Sequence, residues 1–289
     1  MVDSDEFRGQ ILPGLVVTRT QFRAPEPVFF LHVPKTGGTS VRLALGEAIG
    51  VPAINVYGAW PTPDTVLHRF WPYWAGHAQV DLFPATHVGF TLFREPRSRI
   101  LSMYRQHQFL RSAHRLPHGW NHPEPPRPLK RPLPFDRWLT SSREQQRLSI
   151  VGFYLPSATP TPDRRPSPEH VQHALRRPSV ELLADLGRTL GRFRAAAWIH
   201  DNPAVARAIG EVAGREPSRI PRANVAEDNL PDPAPVRLDS TAMSVIEEAA
   251  RVDAHVHAVA EDQGLIPALD RDRADELFYA SAQRLNFVR

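Results

Sequence analysis

The amino-acid sequence predicts an α/β fold with a central, mostly parallel sheet flanked by helices. Residues 28–33 and 88–93 are largely apolar runs, as expected for strands that are covered on both faces. Each run is followed by a segment with apolar residues at helical spacing, and a third short strand, 195–200, is again followed by a helix. Such alternation of strand and helix is typical of parallel sheets.

The helices are assigned from apolar residues three and four positions apart. They span residues 39–49, 97–110, 135–150, 169–177, 180–190, 203–213 and 241–261. The aromatic-rich stretch 56–74 is interpreted as mostly loop. Two proline-rich segments, 115–134 and 156–168, are predicted to be excursions, because proline fixes φ and removes a hydrogen-bond donor. The whole chain, 1–289, is expected to be a single domain with these excursions.

Composition narrows the classes of function. The net charge of +4 and the pI of about 9.8 suit an anionic ligand, but no basic helix with interleaved aromatics predicts nucleic-acid binding. No apolar run is long enough for a membrane span, and the N-terminus has no signal-peptide pattern, so a cytoplasmic location is expected. The absence of cysteine excludes disulfides, thiolate metal sites and cysteine nucleophiles.

The first strand leads into a glycine-containing turn that opens a helix. Residues 34–40 read Pro-Lys-Thr-Gly-Gly-Thr-Ser, which places backbone N–H groups and the positive end of a helix dipole around one point. Lys35 adds a cation, and it is one of two lysines in the chain, with Lys130, against 33 arginines. A compact ammonium in an arginine-rich protein indicates a need for a point charge. The turn therefore predicts an anion site, the alternative being a tight turn with an incidental lysine.

The order of residues in this turn disfavours two common nucleotide-binding loops. In a Walker A loop the lysine follows the glycines, whereas Lys35 precedes both Gly37 and Gly38. A Gly-x-Gly-x-x-Gly dinucleotide loop is also absent from this turn. A kinase-like phosphotransferase is therefore the weaker alternative. It is disfavoured further because no strand is followed by a carboxylate pattern typical of a magnesium site.

A second motif follows the second strand. Arg94, Glu95 and Pro96 end that strand, and Ser102 follows on the next helix, eight residues after Arg94. An arginine at a strand end and a serine on the following helix can bind one phosphate together, through a charged fork and a hydroxyl donor. Each residue alone also suits a solvated surface, but beside the Lys35 turn they predict a second anion subsite.

Together the two motifs resemble the phosphosulfate and 3′-phosphate signatures of sulfotransferases that use 3′-phosphoadenosine 5′-phosphosulfate (PAPS). The resemblance is nearest to the carbohydrate branch, around the heparan-sulfate 2-O-sulfotransferases and their soluble bacterial relatives. It implies a P-loop-NTPase-like sulfotransferase fold, PAPS as co-substrate with PAP as product, no metal, and a hydroxylated acceptor such as a sugar or small metabolite. The cofactor-binding residues that it implies are Lys35, Thr36, Gly37, Gly38, Thr39, Ser40, Arg94 and Ser102.

Weaker matches extend the resemblance over residues 28–257. Ala75-Gly76-His77 is similar to a Gly-His element whose histidine is the catalytic base, which implies His77 as base beside Lys35 as the second catalytic residue. Other branches use a glutamate, and Glu47 on the first helix is the alternative. Asp253 to His257 resembles an Asp-x-x-Leu-Tyr helix, with His257 where tyrosine is usual.

Four questions stay open from the sequence alone. Trp60, Trp71, Tyr73 and Trp74 fit either a sugar-binding cleft or a minor core under a loop. The long C-terminal helix either packs on the sheet or forms a homodimer contact. A protein that binds PAP or PAPS without catalysis is the second function class, and neither the acceptor nor its site of sulfation is indicated.

Overall fold

The computed structural model describes residues 23–57, 71–112, 133–140, 150–155, 179–221 and 234–288. Its centre is a five-stranded sheet in the order β2-β3-β1-β4-β5. The strands are β1 (Val28–Leu31), β2 (Ile54–Tyr57), β3 (Tyr73–His77), β4 (Val88–Phe93) and β5 (Phe193–Trp198). All four pairings are parallel, so the carboxyl ends of the strands share one edge. The α/β class and the parallel sheet are confirmed.

Helices flank this sheet. They are α1 (Gly38–Ile49), α2 (Pro96–Ser112), α3 (Phe135–Thr140), α4 (Val151–Tyr154), α5 (Ser179–Leu190), α6 (Asn202–Ala213), α7 (Ser240–Asp262) and α8 (Arg271–Arg284). A 3₁₀ turn spans Val80–Leu82, and β6 (Val236–Arg237) pairs with β7 (Phe287–Val288) in a second, two-stranded sheet. Within the described ranges, no helix combines the length and apolar character needed to cross a membrane.

The side chains of β1 alternate between two hydrophobic cores. Val28 and Phe30 belong to the core beneath α1 and α6, and Phe29 and Leu31 belong to the opposite core with α4, α5 and α7. All four β1 side chains are fully buried, which explains why this strand is apolar without interruption. A third apolar cluster joins α2, α3, α7 and α8.

Most of the predicted elements lie within two residues of the observed ones. The interpretation of residues 56–74 as loop is wrong at both ends, since β2 begins at Ile54 and β3 begins at Tyr73. The Ala-Gly pair in β3 has low strand propensity, and pairing on both sides overrides it. Helix α8 was not predicted.

Other predictions fall partly on residues that the structure does not describe. The helix predicted over 135–150 is seen as α3, and a separate short helix, α4, begins at Val151. Residues 141–149, the helix 169–177, the loop 156–168 and positions 115–132 of the first proline-rich segment lie outside the described residues. The single-domain organisation of 1–289 stays a prediction.

The aromatic residues before and within β3 form core, which decides against the sugar-cleft alternative for three of the four. Trp71, Tyr73 and Trp74 are each at most 3% exposed. The Trp71 indole donates to the Pro52 carbonyl at 3.0 Å, and the Trp74 indole donates to the Trp71 carbonyl at 3.0 Å. These bonds satisfy the polar atoms that burial would otherwise leave costly. Trp60 lies outside the described residues.

The buried His257 predicts a loss of stability on acidification. Burial, and then the charge of Arg99, lowers its pKa to about 3, whereas an unfolded histidine has a pKa of about 6.5. The stability contributed by neutral His257 is therefore present above about pH 6.5 and is lost as the pH falls toward 3, because only the unfolded chain binds the proton. We expect urea-unfolding free energies to fall more steeply with acidification in the wild-type protein than in a His257→Leu variant. Parallel pH profiles for the two proteins would contradict this.

Candidate functional site

The order of the strands brings the three main predicted site segments to one edge of the sheet. Strand β1 lies between β3 and β4, with Leu31 paired to Gly76 on one side and to Thr91 on the other. His77 is the last residue of β3, Lys35 lies in the turn after β1, and Arg94 directly follows β4. Their convergence follows from the parallel pairing.

The same edge holds the topological switch point of the sheet. From β1 the chain continues through α1 toward β2 on one side, and from β4 it continues through α2 toward β5 on the other. Adjacent strands whose connections leave in opposite directions open a crevice at their carboxyl ends, where α/β proteins bind ligands. Lys35 and Arg94 lie at this switch point of the sheet.

The turn after β1 is held in a defined conformation. The Thr36 hydroxyl donates to the Val33 carbonyl at 2.9 Å, and Arg94 Nη1 donates to the Lys35 carbonyl at 3.2 Å. Lys35 has a φ of 67°, a left-handed conformation that costs a residue with a Cβ about 1–2 kcal/mol. The contacts from Thr36 and Arg94 therefore maintain a backbone that Lys35 alone would not favour, a kind of strain that clusters at functional sites.

Gly37 and Gly38 are required for different reasons. Gly37 has a φ of 75°, and a Cβ there would lie 2.6 Å from Ile199 Cδ1. A Cβ on Gly38 would overlap the ring of His32. The loop after β5 and the His32 ring approach these two positions so closely that only backbone fits. Because neither glycine has a side chain, their N–H groups are not covered by one.

The N-terminus of α1 is capped differently from those of three later helices. Its N-cap, Gly37, offers no side-chain acceptor, and the first turn carries no acidic residue. By contrast, aspartate side chains accept from the backbone N–H groups of α6, α7 and α8, through Asp201, Asp239 and Asp270. The N–H groups and the dipole of α1 are therefore suited to an external anion.

The hydrogen bond of His77 determines its tautomer. Its Nδ1 bonds to the His32 carbonyl oxygen, which can only accept. Nδ1 therefore carries the proton, and Nε2 presents the lone pair of the neutral ring. A general base that acts through Nε2 requires this tautomer.

Arg94 is followed by a turn that satisfies the start of α2 internally. Glu95 is 2% exposed and accepts from the Ser98 N–H at 2.6 Å and from Arg97 Nε at 2.7 Å. A carboxylate at this position neutralises the positive end of α2. Two helix N-termini lie at this edge of the sheet. That of α1, which follows Lys35, lacks a side-chain cap, whereas that of α2, which follows Arg94, has an acidic cap.

Ser102 lies further along α2, away from the strand ends where Lys35, Arg94 and His77 lie. It shares a helix face with Ser98, which donates to the Leu277 carbonyl at 3.1 Å, and with Arg105, which donates to the Leu285 carbonyl at 2.6 Å. Ser102 is itself 5% exposed, so it lies on a buried face of α2. That Ser102 and Arg94 bind one phosphate together stays a prediction.

The alternative base, Glu47, lies at the far end of α1. At 1.5 Å of rise per residue it is about 13 Å along the axis from Gly38. Its carboxylate accepts from the Ser218 hydroxyl at 2.8 Å. The geometry therefore favours His77 over Glu47 as a proton acceptor near the Lys35 turn.

Two buried groups next to the site were missed by sequence reasoning. His32 directly follows β1 and lies under the turn, and its position within the quoted motif was the only available signal. Arg99 and Asp253 form a buried ion pair at 3.1 Å that joins α2 to α7. Their separation along the chain gives no local signal of contact.

No protein-family model matches this sequence, and no curated protein matches it either.

Proposed function

We propose that this protein is a PAPS-dependent sulfotransferase that moves a sulfuryl group to a hydroxyl of a glycan or small-molecule acceptor, with PAP as product. The observation that carries the proposal is the convergence of the Lys35 turn, Arg94 and His77 at the carboxyl ends of β1, β4 and β3. The strand–turn–helix of β1 and α1 at a switch point also supports a P-loop-NTPase-like sulfotransferase fold.

The residues at this edge fit the anionic groups of PAPS. The start of α1, which has no side-chain cap, and the bare backbone at Gly37 and Gly38 suit the 5′-phosphosulfate, with Thr39 and Ser40 in the first helical turn. Arg94 can contribute a charged fork to a second phosphate, and Ser102 is the proposed hydroxyl donor on the next helix. Lys35 and Arg94 bring two cations to the crevice, which matches a highly anionic ligand.

The roles of the two proposed catalytic residues follow from the charge that develops on the leaving oxygen and from the proton that the acceptor hydroxyl loses. A bond forms from the acceptor oxygen to sulfur as the bond from sulfur to the bridging oxygen of PAP breaks. Lys35 stabilises the negative charge that develops on that leaving oxygen. His77 Nε2 takes the proton of the acceptor hydroxyl, and the ring stays oriented because Nδ1–H donates to the His32 carbonyl.

Calorimetry with PAP, ATP and GTP separates this proposal from a kinase-like phosphotransferase. Tight binding of PAP without binding of ATP or GTP is expected, because the lysine stands before the glycines and the proposed site places a second phosphate at Arg94 and Ser102, away from the Lys35 turn. Preferential binding of ATP would overturn the proposal. Transfer of labelled sulfate from PAPS, screened over acidic glycans and small hydroxylated compounds, then separates an enzyme from a protein that only binds PAP.

Replacing His77 with alanine tests the proposed base. We expect the His77→Ala variant to lose about 100-fold or more in kcat, because an acceptor hydroxyl at neutral pH needs a positioned group to accept its proton. The affinity for PAP should stay within about twofold, since the base does not hold the nucleotide. The measurements are steady-state transfer of labelled sulfate and calorimetry with PAP.

His200 provides a matched control for this variant. It is an exposed histidine just beyond β5, at the same edge of the sheet, and has no assigned role in the mechanism. The His200→Ala variant should retain wild-type turnover. Equal turnover in the His77→Ala and His200→Ala variants would remove His77 from the mechanism.

A further inference from the structure

His32 is a buried histidine in contact with the start of α1 and with the proposed base, His77. It follows β1, is 6% exposed, and its N–H donates to the Gly76 carbonyl at 3.0 Å. Its ring lies parallel to Phe30, with centroids 5.5 Å apart, and 4.1 Å from the ring of His77. One residue thus contacts both the core strand and the proposed base.

The imidazole of His32 is not explained by stability. Its Nδ1 is buried without a hydrogen-bond partner among the described residues. A buried polar atom left in this state costs about 1–3 kcal/mol, a cost that an apolar side chain of similar size would avoid. A buried ring nitrogen without a hydrogen-bond partner, in the middle of the candidate site, suggests a functional role for the His32 ring.

The ring of His32 also underlies the start of α1. Because a Cβ at Gly38 would overlap it, the ring and the first residue of α1 are in direct van der Waals contact. The same ring packs on His77, while the His32 backbone carbonyl accepts the His77 Nδ1–H bond. His32 therefore physically connects the anion-binding turn to the proposed base.

We propose that His32 is a positioning residue that sets the orientation of His77 relative to the Lys35 turn. The inference rests on the proposed function and deepens it. The ring packs against both the His77 ring and the start of α1, and so limits the rotation of the His77 ring. A misplacement of about 1 Å in such a constellation can lower the rate about 100-fold.

The electrostatic state of His32 is compatible with this role. Burial, together with the charges of His77 on β3, Arg42 on α1 and Lys35 in the turn, holds the pKa of His32 well below its usual range. His32 is therefore neutral when His77 takes a proton. It adds no repulsion against Lys35 or against a protonated His77.

A His32→Leu variant separates positioning from fold stability. Leucine keeps apolar bulk and removes the buried unpartnered nitrogen, so we expect the Tm to stay the same or to rise. We expect kcat to fall about tenfold or more, with KM for PAPS changed less than kcat. A His32→Asn variant supplies the same measurements in case the leucine variant does not fold.

His87 is the matched control, because it is also a buried histidine with a lowered pKa but precedes β4 at the opposite edge of the sheet. Its Nε2 bonds to the Trp71 carbonyl at 2.9 Å. The His87→Leu variant should therefore show the reverse pattern, with a lower Tm and an unchanged kcat. The same loss of Tm with no selective loss of kcat in the His32 variants would overturn the positioning role.

Nitrogen-15 NMR of the histidine rings tests the inference without any activity. In the wild-type protein the neutral His77 ring should be the Nδ1–H tautomer, and in the His32→Leu variant a population of the Nε2–H tautomer should appear. An unchanged His77 spectrum in that variant overturns the inference. If the wild-type protein neither binds PAP nor transfers sulfate, the proposed function fails, while the NMR result still decides whether His32 orients His77.

Discussion

Replacing Lys35 with alanine should lower the rate of sulfuryl transfer by roughly 100- to 1,000-fold, the usual effect of removing one group that stabilises transition-state charge. The backbone of the turn should persist, because the Thr36 hydroxyl still binds the Val33 carbonyl and Arg94 still binds the backbone carbonyl at position 35. The loss should therefore come from the missing ammonium. Single-turnover transfer from labelled PAPS measures it.

Two further substitutions at Lys35 separate charge from backbone geometry. Since Lys35 has a φ of 67°, the Lys35→Gly variant relieves backbone strain and should fold at least as well as the wild-type protein, yet it should be as slow as the alanine variant. The Lys35→Arg variant keeps the charge but spreads it over a planar fork, and we expect intermediate rates. Wild-type rates in the glycine variant would show that the ammonium has no part in the reaction.

Replacing Asp253 with alanine should destabilise the fold by about 3–5 kcal/mol, the range for breaking a buried ion pair from one side. Asp253 is fully buried; its Oδ2 accepts from Arg99 Nη2 at 3.1 Å, and its Oδ1 accepts from the Ile150 N–H at 2.8 Å. Its removal leaves the guanidinium of Arg99, 1% exposed, without this carboxylate. The free energy of unfolding in urea measures the effect.

Two controls test whether burial causes this effect. The Arg273–Glu276 pair has a similar contact of 2.7 Å, but both side chains are more than half exposed, so Arg273→Ala should cost less than about 1 kcal/mol. The double variant Arg99→Met with Asp253→Leu should recover much of the lost stability, because apolar pairs can replace buried ion pairs. A similar cost for the buried and the exposed pair would contradict the argument.

Local pattern was sufficient to predict the strand, turn and helix around Lys35. An apolar strand, a lysine, two glycines and a helical period follow one another within a short segment, and each is read from neighbours in the chain. The same holds for Arg94 after β4. These predictions succeeded as structure because strand, turn and helix are determined mainly by near residues, and the observed β1, α1 and β4 agree with them.

Pattern failed where long-range contacts determine the structure. Strand β3 carries Ala75 and Gly76, whose low strand propensity is overridden by pairing with β1 and β2. The aromatic residues Trp71, Tyr73 and Trp74 have the same sequence pattern whether they line a cleft or fill a core. Only the packing of neighbouring segments distinguishes these cases.

By itself, the sequence determined the α/β class, the strand-end positions of Lys35 and Arg94, and the turn that presents backbone N–H groups at the start of α1. Only the tertiary structure decided that β1 lies between β3 and β4, which brings His77 to the same edge. It also decided that the His32 ring contacts both that histidine and the start of α1, and that Ser102 is buried. The reason is physical: hydrogen bonding between neighbouring residues sets a turn, whereas strand order and side-chain burial depend on contacts between segments far apart in the chain.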